Sequence, residues 1–285
     1  MRYRVVVGID GTDASHDAVD WAADEARQRR GSLHLLHAWF GEMAQAFTGR
    51  ATHLSRDAGE EALGAAAEQA RLRHPDLAVT TELVDGHARD AVLAAAGEAE
   101  LLVLGARGSG GFPRLLVGST SLDAAARAAC PVVVVHPAAD RASAGGVLAG
   151  VHGRDPEQPV LDFAFEAAVR RELPLLAVHA WSYPLVAGAG RALPPVFEEG
   201  HIKAEQDRLL AEVLAGYRQE YPGVKVETLS VRSGAARELV ALSAAHQLVV
   251  VGRHGTARGP LGRLGSVSQA VVQHGQCPVA VVPAG

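Results

Sequence analysis

Glycine and hydroxyl residues recur at one spacing in two places along the 285-residue chain. Gly105-Ala106-Arg107-Gly108 is followed, after nine intervening residues, by Gly118-Ser119-Thr120-Ser121. Gly252-Arg253-His254-Gly255 is followed, again after nine intervening residues, by Gly265-Ser266-Val267-Ser268. Each stretch begins where a short apolar run ends, Leu101–Leu104 in one case and Leu248–Val251 in the other. Such runs read as buried strands. Glycines let a backbone pass close to a ligand where a Cβ would clash. Hydroxyls and free N–H groups at the start of the next helix, with its partial positive charge, then suit a phosphate. A plainer reading of either copy alone is a flexible turn with Ser119 as an N-cap, worth ~1 kcal/mol.

A carboxylate stands at a second strand end, in Gly8-Ile9-Asp10-Gly11. Asp10 does not favour phosphates, but it can accept hydrogen bonds from a ribose hydroxyl or a base amine. Its alternative role is an Asx turn. The corresponding stretch of the second half is Gly150-Val151-His152-Gly153. An imidazole is bulkier than a carboxylate and lacks its two acceptor oxygens. The second half therefore reads as a weaker or altered site, while Arg107 and His254 occupy matching loop positions from which either reaches a phosphate.

Several chemistries are missing. No Gly-Lys pair occurs, so there is no P-loop lysine, and no G-x-G-x-x-G follows a strand. There is no G-x-S-x-G and no H-E-x-x-H, and no metal site or catalytic pair stands out. A bound nucleotide would thus be held and sensed rather than turned over quickly, with slow hydrolysis left open. The two cysteines, Cys130 and Cys277, open matching Cys-Pro-Val strands, one per half, and read as small buried residues.

The elements that must position these residues alternate strand and helix. In the first half the strands are Val5–Asp10, Leu33–Trp39, Leu77–Val84, Leu101–Leu104 and Val132–His136. Helices run over about Ser15–Arg30 with Gly31 as the stop, then to near His74, over Arg89–Ala99 and over Ser119–Ala129. A linker by composition spans 137–146. The second half repeats the order with strands at Val147–Val151, Leu175–Trp181, Val226–Val231, Leu248–Val251 and Val279–Val282. Alternation at these lengths implies a parallel sheet covered by helices on both faces. Strand Val132–Val135 is too apolar for an exposed edge.

Strand-Asp, His37-Ala38-Trp39 and its repeat His179-Ala180-Trp181, the two glycine motifs and the two Cys-Pro-Val strands together resemble the universal stress protein family in its tandem form. The resemblance covers essentially the whole chain, with halves at 1–137 and 146–285. It implies an α/β fold of two tandem doubly wound, Rossmann-like parallel sheets, each five-stranded with order 3-2-1-4-5. It also implies a pseudo-two-fold pairing of the halves through their fifth strands, which if antiparallel sets Cys130 and Cys277 at opposite ends. The cofactor it implies is ATP, with or without Mg²⁺. The residues this assigns to the nucleotide are Gly8, Asp10, Ala38, Gly105, Arg107, Gly108, Gly118, Ser119, Thr120 and Ser121. In the second half they are Ala180, Gly252, His254, Gly255, Gly265, Ser266, Val267 and Ser268. Ala38 and Ala180 would offer backbone groups to an adenine edge.

The net charge of −5 argues against bulk nucleic-acid binding. No apolar run approaches the ~20 residues that cross a bilayer. Met1-Arg2-Tyr3-Arg4 leads straight into Val5-Val6-Val7 without a signal-peptide pattern, so the expectation is a cytoplasmic protein. A homodimer is expected, and a protein partner fits a nucleotide-dependent switch or scaffold in stress response. Two alternatives remain at this point: a slow ATP hydrolase or nucleotidyl enzyme on the same fold, and a nucleotide-free interaction module.

Overall fold

Runs such as Val5-Val6-Val7 and Val132–Val135 are apolar at successive positions, which a strand tolerates only when both its faces are buried. The computed structural model places them so: every residue of both runs has no exposed surface. It describes residues 3–39, 56–108, 116–137, 145–153, 158–182, 199–253 and 264–284.

The first half contains β1 (Arg4–Ile9), α1 (Asp13–Gln28), β2 (Ser32–Trp39), α2 (Arg56–Arg73), β3 (Ala78–Asp85), α3 (Ala88–Ala95), β4 (Leu101–Gly105), α4 (Ser119–Arg127) and β5 (Val132–Val135). The second contains β6 (Gly145–Gly150), α5 (Gln158–Arg171), β7 (Leu175–Trp181), α6 (Glu199–Glu220), β8 (Val226–Arg232), α7 (Ala235–Ser243), β9 (His246–Gly252), α8 (Ser266–His274) and β10 (Val279–Val282). Helices α1, α2, α5 and α6 cover one face of the sheet and α3, α4, α7 and α8 the other, with a separate apolar layer beneath each group.

Each half keeps the order 3-2-1-4-5, but the two sheets are not separate. They form one ten-stranded sheet, β3-β2-β1-β4-β5-β10-β9-β6-β7-β8. The join is the antiparallel pair β5–β10, with Val134 opposite Val279 and Val132 opposite Val281. The valines leave no edge at the centre, as their lack of polar residues requires. Cys130 and Cys277, both buried and unbridged, precede these antiparallel strands and so lie at opposite ends of the join.

Three sequence expectations shift. The helix expected to reach Ala99 ends at Ala95. Helix α4 stops at Arg127 rather than Ala129. Gly31 is not the left-handed residue that ends α1; Arg30 is, at φ 52°, as is Glu172 at φ 53° in the second half. Gly31 is needed for a different reason, because a Cβ there would stand 2.1 Å from the Tyr3 carbonyl oxygen.

The halves are also locked side by side. Glu25 of α1 has no exposed surface and pairs with Arg29, one turn on, and with Arg171 of α5. Arg29 reaches Glu166 of α5 at 3.3 Å. Arg29 and Arg171 occupy equivalent places in the two repeats, so one carboxylate ties together symmetry-related guanidiniums.

Candidate functional site

Strands β1 and β4 are neighbours, with Val5 to Val7 paired in parallel to Leu101 to Val103. Their continuations therefore leave the sheet side by side at its carboxyl edge, where the direction of connection switches and open sheets bind ligands. Asp10 and the Gly105–Gly108 loop meet there. A Cβ added to Gly108 would lie 2.6 Å from Asp10 Oδ2. The other carboxylate oxygen, Oδ1, accepts from the Thr12 amide at 3.1 Å and the Thr12 hydroxyl at 2.6 Å. Asp10 is thus an Asx-turn residue and also a wall of the crevice, one oxygen serving each role. Thr12 in turn caps α1 by accepting from the Ser15 amide.

The glycine loop is held from three sides. The Ala106 amide donates to the Val135 carbonyl at 2.8 Å, and the Gly118 amide donates back to the Ala106 carbonyl at 2.7 Å. The Ser121 hydroxyl donates to the Gly105 carbonyl at 2.8 Å. Gly105 itself presses on α1, where a Cβ would lie 2.6 Å from the Ala14 carbonyl oxygen. Neither of those backbone segments has room to move, so Gly105→Ala is expected to cost about 1–3 kcal/mol, read as a fall in the urea midpoint.

The N-cap of α4 is Gly118, not Ser119, and among the described residues no side chain caps this helix. Ser119 is its first residue and is exposed. Its hydroxyl is therefore not spent on the helix, and the N–H groups of the first turn point out of an uncapped end, the arrangement that accepts anions. Thr120 is half-buried beside it, while Arg107 and Gly108 are exposed at the loop. Ser121 is buried and acts by fixing the loop, so its donor is not available to a ligand. Gly8 also serves packing: a Cβ there would lie 2.5 Å from Leu104 Cδ2.

Ala38 lies one residue past His37, the last β2 residue paired with β1. Sequence reasoning passed over His37 itself. Its Nδ1 donates to the Ile9 carbonyl at 2.8 Å, fixing the end of β1 one residue before Asp10. Burial lowers the pKa of His37, against smaller opposing effects of the Ile9 bond and Asp10. The repeat of His-Ala-Trp was the available signal, because His179 Nδ1 makes the same bond to the Val151 carbonyl at 2.9 Å.

The second half repeats the frame. The Gly265 amide donates to the Arg253 carbonyl at 2.8 Å, and the Ser268 hydroxyl to the Gly252 carbonyl at 2.5 Å. Gly265 is the N-cap of α8, again with no side-chain cap, and Ser266 is exposed. Val267 is half-buried beside it. Ala180 again lies past the last β6 partner, Val178. His254 and Gly255 lie outside the described residues, as do Arg258 and Arg263.

Two differences set this site apart. His152 stands exposed where Asp10 is. Leu209 of α6 presses on the following turn, where a Cβ on Gly153 would lie 2.1 Å from its Cδ2; the matching approach in the first half is Ala62, at 3.8 Å from a Cβ on Gly11. Arg253 is buried and donates to the Ala128 carbonyl at the end of α4, across the join. It belongs to the contact between the halves.

The family model for the universal stress proteins matches residues 1–136 and 146–283, nearly all of the chain and once per half. The chain belongs to the universal stress protein family. A universal stress protein of Mycobacterium tuberculosis (strain H37Rv) is 35% identical over 295 aligned residues, covering 98% of this chain and 97% of that protein. A second from the same strain is 35% identical over 288, covering 97% and 95%. Among solved structures, a universal stress protein from Archaeoglobus fulgidus aligns with TM-score 0.71 at 16% identity, covering 99% of this chain and 96% of that one. At that identity it supports the fold of this universal stress protein, tandem halves included, and not its ligand. Among the described residues no helix is long and apolar enough to cross a membrane, and no three His, Cys, Asp or Glu side chains form a metal cluster.

Proposed function

We propose that this universal stress protein is an ATP-binding regulatory protein, with its halves at 1–137 and 146–285 as the working units. The observation that carries the reading is the first crevice. Asp10 and Gly108 face each other across it, and the uncapped start of α4 with exposed Ser119 stands beside them. In this reading the α-, β- and γ-phosphates lie against the loop and the first turn of α4. Arg107 supplies charge at the mouth, and Asp10 accepts from a ribose hydroxyl. Backbone groups of Ala38 meet the adenine edge.

The second half holds nucleotide more weakly, because His152 replaces the ribose acceptor and Leu209 crowds the turn beside it. Among the described residues nothing near the first crevice is arranged as a nucleophile and base, and in this reading ATP acts by occupying the site, as a switch or scaffold signal. Cytoplasmic placement, a second copy of the chain and a protein partner belong to the same reading. Magnesium would enter with the phosphates, without a dedicated set of protein ligands.

Calorimetric titration tests the reading through its two kinds of contact. Asp10→Ala is expected to weaken ATP and adenosine alike, by about tenfold or more, the value of one hydrogen bond to a charged group. Ser119→Ala is expected to weaken ATP and leave adenosine unchanged. Equal loss of both ligands in Ser119→Ala, or no loss of either in Asp10→Ala, would contradict the assignment.

A further inference from the structure

The halves are not equivalent on the face that carries α1 and α5, and the difference leaves a cavity. Val5 and Val147 hold the same place in the two repeats, since Val5 pairs with Leu33 and Leu101, and Val147 with Leu175 and Leu248. Two residues earlier stand Tyr3 and Gly145. The Tyr3 ring fills its side of the interface. The Arg29 guanidinium lies 4.3 Å from the ring centroid, and the hydroxyl donates to the Glu100 carbonyl at 3.3 Å. Gly145 provides no ring on the other side.

On that other side lies a cavity of about 550 Å³, walled by Asp17, Asp20 and Trp21 of α1, Arg170 and Arg171 of α5, and Gln247 of β9, among others. Gln247 holds the place of Glu100, and Arg171 that of Arg29. With no tyrosine beneath it, the Arg171 guanidinium sits 5.3 Å from the Trp21 ring centroid instead. Among the described residues Arg171 Nη1 and Arg170 Nε are buried without a hydrogen-bond acceptor, as is Arg29 Nη2 beside Tyr3, so it is the missing ring and not an unmet donor that distinguishes this side.

We propose that this cavity is a binding site for a small phenol, whose ring takes the place that Tyr3 fills on the opposite side. The volume is that of a small-molecule pocket. The phenolic O–H donates to Asp17, Asp20 or Gln247 of the wall, as the Tyr3 hydroxyl donates to the Glu100 carbonyl on the opposite side. The ring packs on Trp21 and under the guanidinium, the geometry already present between Tyr3 and Arg29. A neutral ligand fits better than an anion. Arg170 and Arg171 each already hold a carboxylate, Glu166 and Glu25, and the lining carboxylates outnumber the guanidiniums. A phenol, with a pKa near 10, is neutral at pH 7. The site is independent of the nucleotide crevice, because it is built at the contact between the halves.

The test uses p-cresol, which is the tyrosine side chain as a free molecule, with the full chain and saturating ATP. Saturation-transfer NMR and calorimetry are expected to show one p-cresol per chain in the millimolar range natural to so small a ligand. Benzoate is expected to bind at least about tenfold more weakly. Gly145→Tyr fills the cavity and is expected to abolish binding. The strand tolerates the new side chain if the Ala245 carbonyl, 3.0 Å from a Cβ at Gly145, gives slightly. Should that variant fail to fold, Trp21→Ala is expected to weaken p-cresol about fivefold through the lost ring contact. No binding at about 10 mM p-cresol, displacement by ATP, benzoate binding as tightly as p-cresol, or wild-type affinity in a folded Gly145→Tyr or Trp21→Ala would each overturn the proposal.

Discussion

Glu25→Ala is expected to lower the stability of the chain by about 3–5 kcal/mol, the usual result of removing one partner from a buried ion pair. The side chain has no exposed surface, and it is the carboxylate shared by Arg29 and Arg171. Without it, two guanidiniums stay in the interface with one charge between them, that of Glu166, itself already bound to Arg170. Urea denaturation followed by circular dichroism measures the loss. A change under about 1 kcal/mol would show that this ion pair does little to hold the halves together.

The same residue sets an acid limit. Burial pushes the Glu25 carboxyl up, but Arg171 and then Arg29 outweigh it and hold the group below its usual 4.5. A carboxylate with a depressed folded pKa contributes stability that is fully present above its unfolded value and lost as pH falls through the folded one. The wild-type chain is therefore expected to lose this contribution only below about pH 4.5. The stability difference between it and Glu25→Ala should shrink over the same range. A difference that stays constant down to pH 2 would contradict the ion-pair account.

Gly108→Ala is expected to lower ATP affinity by tenfold or more while leaving stability within about 1 kcal/mol. The added Cβ would stand 2.6 Å from Asp10 Oδ2, and Asp10 cannot swing away freely because Oδ1 holds Thr12. The carboxylate must turn out of the crevice or the loop must lift off α4, and both outcomes remove a proposed ligand contact. Gly108 is exposed, so the fold has little to lose. Calorimetric titration beside a thermal melt separates the two quantities. Unchanged affinity in a folded variant would place the nucleotide elsewhere.

Much of this was legible in the sequence because the signals are local. A strand ending in Asp10, a loop opened by Gly105 and a hydroxyl at position 119 each depend on a few neighbouring residues, and the duplication made each readable twice. The five-strand order came with the family resemblance. What the sequence hid depends on partners far along the chain. Glu25 looks like a polar position on α1, and only the fold brings Arg171 to it. Arg253 sits in a glycine loop beside His254, yet it turns across the join to the Ala128 carbonyl in the other half. Ser119 reads equally well as a cap from its neighbours alone, but Gly118, one residue earlier, has the extended backbone of the N-cap. The Tyr3–Gly145 difference lay in plain view, but its consequence appears only once the halves are superposed through their strands.

The central claim is that the first half is a nucleotide site and the second a weaker one. The most direct measurement is the amount and identity of nucleotide released when natively purified protein, prepared without added nucleotide, is denatured and analysed by mass spectrometry. The account predicts one adenine nucleotide per chain from the wild type and almost none from Gly108→Ala. Two per chain would show that His152 and Leu209 do not weaken the second site. No nucleotide, together with no thermal shift at millimolar ATP, would contradict the claim outright.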